Sequence, residues 1–135
     1  MKKQLLATLE NSKNYSLQVA QEMPEQAYQF KPTDAVWSFK ELLHHTAYGI
    51  IWWKENYVEG TKTEWKPPAV KNKKQEIISY LEDAYASLQK TIEKIELSDE
   101  VVKGFHATID HITHHRGQAV LYLRCKGIVP PEYTY

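Results

Sequence analysis

The chain has 135 residues, 42% of them hydrophobic, which suits one domain whose core needs no disulfide or metal staple. Lysine plus arginine and aspartate plus glutamate both number 17. This balance removes the usual electrostatic case for nucleic acid or an anionic membrane as the main partner.

The lone cysteine, Cys125, excludes an internal disulfide and fits a reducing compartment. No apolar run reaches the length of a membrane span, and "MKKQLLATLENSK" holds too short an apolar stretch for a signal peptide. A cytoplasmic domain spanning residues 1–135 is expected.

Four helical stretches follow in order, with almost no strand signal. The first, Lys3 to Met23, carries Leu5, Leu6, Leu9, Val19 and Ala20 at helical intervals and stops before Pro24. The second starts at "WSFKELL", where Ser38 and Glu41 have capping-box spacing and Trp37 and Leu42 are placed as a hydrophobic staple. It is expected to run to Glu59, with Gly60 as its stop. "TKTEWKPPAVK" is the longest non-helical link.

The third helix, Asn72 to Ile95, places Ile77, Leu81, Ala84, Leu88, Ile92 and Ile95 at alternating four- and three-residue steps. Asn72 and Gln75 repeat the capping-box spacing. The fourth, Val102 to Lys126, carries Phe105, Ile109, Ile112, Ala119, Val120 and Leu123 and ends at Gly127. Four striped helices predict an all-α, antiparallel four-helix bundle.

The stretch "DHITHHRGQ" holds three of the six histidines. His111 and His115 are four apart and share one helix face, while His114 points elsewhere. Bundle sites are built from inward side chains on facing helices. A third imidazole can come from His44 or His45, and the inner stripe Leu42, His45, Gly49, Trp52, Trp53 selects His45. Three neutral imidazoles suit zinc, nickel, copper or iron and leave coordination positions open. His44, His106 and His114 are expected at the surface or beside the ligands, and Cys125 as an inert thiol.

"WSFKELLHH", "HITHHRGQAVLYLRCKG" and the closing "PPEY" together resemble the DinB-like family of metal-binding four-helix bundles. The family pattern is Trp-Ser, then Glu, then His, with H-x-x-x-H-R-G-Q near the C-terminus. Residue by residue, the resemblance puts its ligands on His45, His111 and His115, the set that spacing selects. It also implies chemistry with low-molecular-weight thiols, since the family includes thiol-dependent S-transferases and isomerases.

Ile112 stands where an H-E-x-x-H zinc protease has its general base, so no water-activating carboxylate is visible. A metal-dependent thiol S-transferase acting on small electrophiles, in stress or detoxification, is therefore expected, ahead of a metal-dependent hydrolase or a non-enzymatic metal-binding bundle. Trp52, Trp53 and Tyr122 are expected to wall the electrophile pocket, and Gln118 to donate to a ligand imidazole or a metal-bound group. The paired tryptophans and the resemblance suggest a homodimer. Gly117, unfavourable inside a helix, predicts close packing by a helix or a second subunit, with Arg116 beside it paired to Glu41 or Glu55.

Overall fold

A computed structural model describes residues 1–133. Its helices are α1 (Lys2–Glu22), α2 (Phe39–Trp53), α3 (Lys74–Lys94) and α4 (Asp99–Cys125). A short 3-10 turn occupies Glu25–Ala27, and α2 continues as a π-helical turn over Lys54–Val58. No strand occurs among the described residues.

The predicted apolar stripes form the core. Leu5, Leu9, Val19 and Ala20 of α1 are buried, as are Ile77, Leu81, Ala84, Leu88 and Ile92 of α3. Phe105, Ile112, Ala119 and Leu123 of α4 join them, with Ile109 and Val120 half-buried beside them. The middle of α1 is more polar than its stripe suggests. Ser12 and Ser16 are buried and both hydrogen-bond the Tyr85 hydroxyl, at 2.9 and 2.8 Å. The Tyr85 phenol therefore has partners despite its burial.

Helix starts follow local chemistry. At α2 the Ser38 hydroxyl accepts from the Glu41 amide at 3.2 Å, and Glu41 accepts from the Ser38 amide at 3.0 Å. Donation from the Ser38 amide, and then from its hydroxyl, holds the Glu41 carboxyl below the usual carboxylate range. The expected box at Asn72 and Gln75 is displaced by one residue. The Glu76 carboxylate accepts from the Lys73 amide at 3.2 Å, so α3 begins at Lys74. Lys73 offers no side-chain acceptor, so only this half of the box has the usual chemistry. α4 begins three residues before the expected Val102 because Ser98 accepts from the Val101 amide at 3.2 Å. Asp99 and Glu100 then occupy the first turn, where the helix dipole favours acids. Gly60 and Gly127, the expected stops, have φ of 77° and 74°.

The side chains report the helix directions. Lys2, starting α1, donates to the carbonyls of Glu93 and Ile95 at the end of α3, while Lys74, starting α3, donates to Gln21 at the end of α1. α1 and α3 are thus antiparallel. Gly49 of α2 faces His111, and Tyr57 just beyond faces Gly104, so α2 and α4 are antiparallel too. α2 and α3 run the same way, since His44 meets Tyr80 and Lys54 meets Ser87. A parallel neighbour requires the chain to return the length of a helix. The link over residues 59–73 does so; at about 3.3 Å per residue its reach of ~50 Å exceeds the ~30 Å of α3.

At Gly104 two backbones approach closely. A β-carbon there would sit 1.9 Å from the Tyr57 carbonyl oxygen, in the π-helical turn. Neither backbone can yield cheaply. Gly104→Ala is expected to cost ~3 kcal/mol or more, the upper end for overpacking, against ~1 kcal/mol for Ser38→Ala through loss of its cap. Urea denaturation of the two variants checks the order; equal midpoints would contradict the backbone contact.

Candidate metal centre

His45 projects from α2, and His111 and His115 project from successive turns of the antiparallel α4. Their Nε2 atoms converge: His45 lies 3.3 Å from His111 and 3.0 Å from His115. All three ligand atoms fall within 4.8 Å of one another. A tetrahedral zinc with ~2.05 Å bonds to nitrogen sets its ligand atoms ~3.3 Å apart. Three imidazole nitrogens at this spacing fit one face of such a site. The residues that would hold the ion are those selected from the sequence.

Each ring is oriented differently. His115 donates from Nδ1 to the Gln118 side-chain oxygen at 2.9 Å, which leaves its Nε2 lone pair pointing at the trio. Gln118 thus serves as an acceptor, where the sequence suggested a donor. His111 has no such partner: its Nδ1 is buried without a hydrogen bond. Packing orients that ring instead. It lies 5.5 Å from Trp53 at 31°, and a β-carbon on Gly49 would stand 2.6 Å from its Cε1. His45 is flanked by Trp37, at 4.4 Å between centroids, and by Trp65, at 5.4 Å.

Burial keeps the cluster uncharged. Desolvation, then the neighbouring His115 and His111, brings the His45 imidazole down to about 4. Desolvation followed by His115 and His114 brings His111 to about 4 as well. His115 is also lowered by desolvation, although its bond to Gln118 opposes the effect. At neutral pH the rings are free bases, the form that binds metal.

The wall around the trio differs from expectation. Tyr122 lines a cavity of about 670 Å³ with Val36, Trp37, Leu42, Leu121 and His115. Its hydroxyl is committed, donating to the Trp37 carbonyl at 2.7 Å. Trp37 and Leu42 meet at this cavity, but Trp37 is 44% exposed and stacks on His45 rather than closing a buried staple. Trp52 and Trp53 lie elsewhere and pack within the chain. Trp53 covers His111, and Trp52 meets Trp53, Tyr57 and Trp65. Sequence reasoning missed Trp37 and Trp65 as neighbours of His45. Trp65 comes from the long link, which Tyr48 anchors by accepting from the Lys66 amide at 2.7 Å.

His44 is not at the surface. It is 4% exposed, stacks on Tyr80 and donates from Nε2 to the Pro68 carbonyl at 3.0 Å. The mixed face of α2 is covered by that link and by α3. His106 and His114 are exposed, as expected. Of the close packing expected at Gly117, the contact with another helix of this chain does not occur: among the described residues no heavy atom lies within 4 Å of a would-be β-carbon. Arg116 turns away from Glu41 and Glu55 toward α1, where its guanidinium lies 5.1 Å from the Tyr15 ring.

A family model described as the DinB superfamily matches residues 8–119, across both histidine segments. The chain belongs to the DinB superfamily. Its fold agrees with the crystal structure of a DinB-like protein from Bacillus cereus at a TM-score of 0.80, with 14% identity over 97% of this chain and 95% of that one. No curated protein matches. Among the described residues no helix is long and apolar enough to cross a membrane. The three-histidine group of this DinB-superfamily chain has the donors and spacing to hold a metal ion.

His45→Ala, His111→Ala and His115→Ala are each expected to lose most bound metal, and His44→Ala to retain it. Metal content after dialysis distinguishes them; an emptied site in His44→Ala would overturn the ligand set. Gly49→Ala should keep the fold, since only a side chain need yield, but weaken metal binding by displacing the His111 ring. Acid should destabilise the metal-free protein. The folded-state values lie below the unfolded value near 6.5, so the unfolded chain takes up protons first. Stability is full above pH ~6.5 and declines as pH falls toward about 4. Urea midpoints at pH 7 and pH 5 test this, and identical values would contradict it.

Proposed function

We propose that this protein is a cytoplasmic, metal-dependent thiol S-transferase that joins a low-molecular-weight thiol to a small electrophile in stress or detoxification. The observation that carries the reading is the environment of His115. One edge of the histidine group forms part of a large, mainly apolar cavity whose lining holds no lysine or arginine. Val36, Trp37, Leu42 and Leu121 suit an uncharged organic substrate.

Zinc or nickel suits the donor set best, with iron or copper as further candidates. When bound, such an ion supplies the positive charge that allows a thiol to lose its proton at neutral pH. The chain's own residues set the geometry. Gln118 holds the His115 tautomer, Gly49 admits the His111 ring, and Tyr122 fixes Trp37 beside the cavity. In the overall reaction a sulfur–carbon bond forms, the leaving group departs with its electron pair, and the thiol proton passes to solvent. No strong protein base is required.

A hydrolase reading has one specific observation in its favour: the carboxylate of Asp34 lines the same cavity. Glu41, the other nearby acid, is held in the α2 cap. Turnover by metal-loaded protein, with an activated electrophile and a panel of small thiols, separates the two. Thiol-dependent turnover is expected, lost in His45→Ala and little changed in Asp34→Asn. Gln118→Ala should lower it by ~10-fold, the low end for groups that orient a ligand. Turnover that ignores thiol and vanishes in Asp34→Asn would overturn the transferase reading and support hydrolysis.

A further inference from the structure

α4 turns two faces to two neighbours. His115 faces α2, and Arg116, one residue on, faces α1. Arg116 is only 8% exposed, yet no carboxylate among the described residues lies within ion-pair distance of it. Its guanidinium stands over the rings of Tyr15 and Tyr133, at 5.1 and 5.6 Å. Its hydrogen bond to the Ser12 carbonyl is long, at 3.4 Å. A guanidinium carries five N–H donors; those not bonded to Ser12 remain accessible, since no Arg116 nitrogen is both buried and unpartnered. Burying a cation without a counter-charge is unfavourable, which asks for an anion.

Arg116 lines a cavity of about 220 Å³ between α1 and α4. At ~30 Å³ per water, this is room for a ligand of several heavy atoms. Thr8, Asn11, Ser12 and Thr113 contribute polar groups to its lining, and Ile109 and Tyr133 contribute apolar surface. Among the described residues no acidic side chain lines it, and Arg116 is its one cation.

We propose that this cavity binds a small monocarboxylate through Arg116. The planar fork of the guanidinium matches the two oxygens of a carboxylate. The threonine hydroxyls and the Asn11 amide can donate to the same oxygens, while Ile109 and Tyr133 accept a short hydrocarbon body. A single cation balances a monoanion and leaves a dianion such as phosphate half-compensated. The site is separate from the histidine centre and does not depend on the transferase reading.

The test is a butyrate titration of isotope-labelled protein, metal-loaded and again after chelation, with ionic strength held constant by sodium chloride. The readouts are the Arg116 Nε–Hε resonance and the melting temperature. A saturable shift of that resonance and a rise in melting temperature are expected in both metal states, with no saturable response to inorganic phosphate. Thr113→Leu, at an exposed position that lines the cavity, should fold like the parent and bind butyrate at least ~10-fold more weakly. Arg116→Gln should abolish the response; if it fails to fold, the wild-type resonance and Thr113→Leu decide. An unresponsive Arg116 would overturn the proposal. So would equal binding by Thr113→Leu, preference for phosphate, or a response confined to metal-loaded protein.

Discussion

The close approach of α4 to α2 is the constraint on which the rest depends. Two glycines permit it at different depths. Gly104 lets the α4 backbone meet the Tyr57 carbonyl, and Gly49 lets the His111 ring lie against α2. With the helices antiparallel at this separation, a histidine on α2 lies between two histidines on successive turns of α4. The convergence of three Nε2 atoms is thus a consequence of backbone packing before it is a matter of metal chemistry. The π-helical turn contributes too, because it places Tyr57 where only a glycine can face it.

Electrostatics divides α4 along its length of contact. Toward α2 it presents imidazoles that burial holds neutral, so three basic groups can cluster without repulsion. Toward α1 it presents a permanent cation over two tyrosine rings. A metal would bring positive charge to the first face, and an anion would cancel it on the second. α4 thus adds polar groups on both sides of its apolar core residues, which distinguishes it from α3, whose buried face is almost wholly aliphatic.

Much of this was legible in the sequence, and the failures share a cause. Stripes at helical spacing gave the four helices, and i, i+4 geometry with an inner stripe gave His45, His111 and His115, because both rest on periodicity within one helix. Trp65 was missed and His44 misplaced because a non-periodic link covers that face of α2. Arg116 was assigned a carboxylate partner from α2, whereas its helix position turns it to α1. The glycines were the hardest. Gly117 drew attention, yet a β-carbon there would meet no described residue within 4 Å, while Gly104 passed unnoticed at a contact between two backbones. A residue without a side chain leaves no pattern from which its neighbours can be read. The α3 cap slipped by one residue because Gln75 and Glu76 both stand where an N3 acceptor is needed.

X-ray absorption at the metal edge of zinc-loaded protein addresses the three-histidine centre most directly. Three imidazole nitrogens at ~2.0–2.1 Å, with a light-atom ligand in the open position, are the expected first coordination sphere. A shell with fewer than three imidazoles, or one containing the sulfur of Cys125, would contradict it.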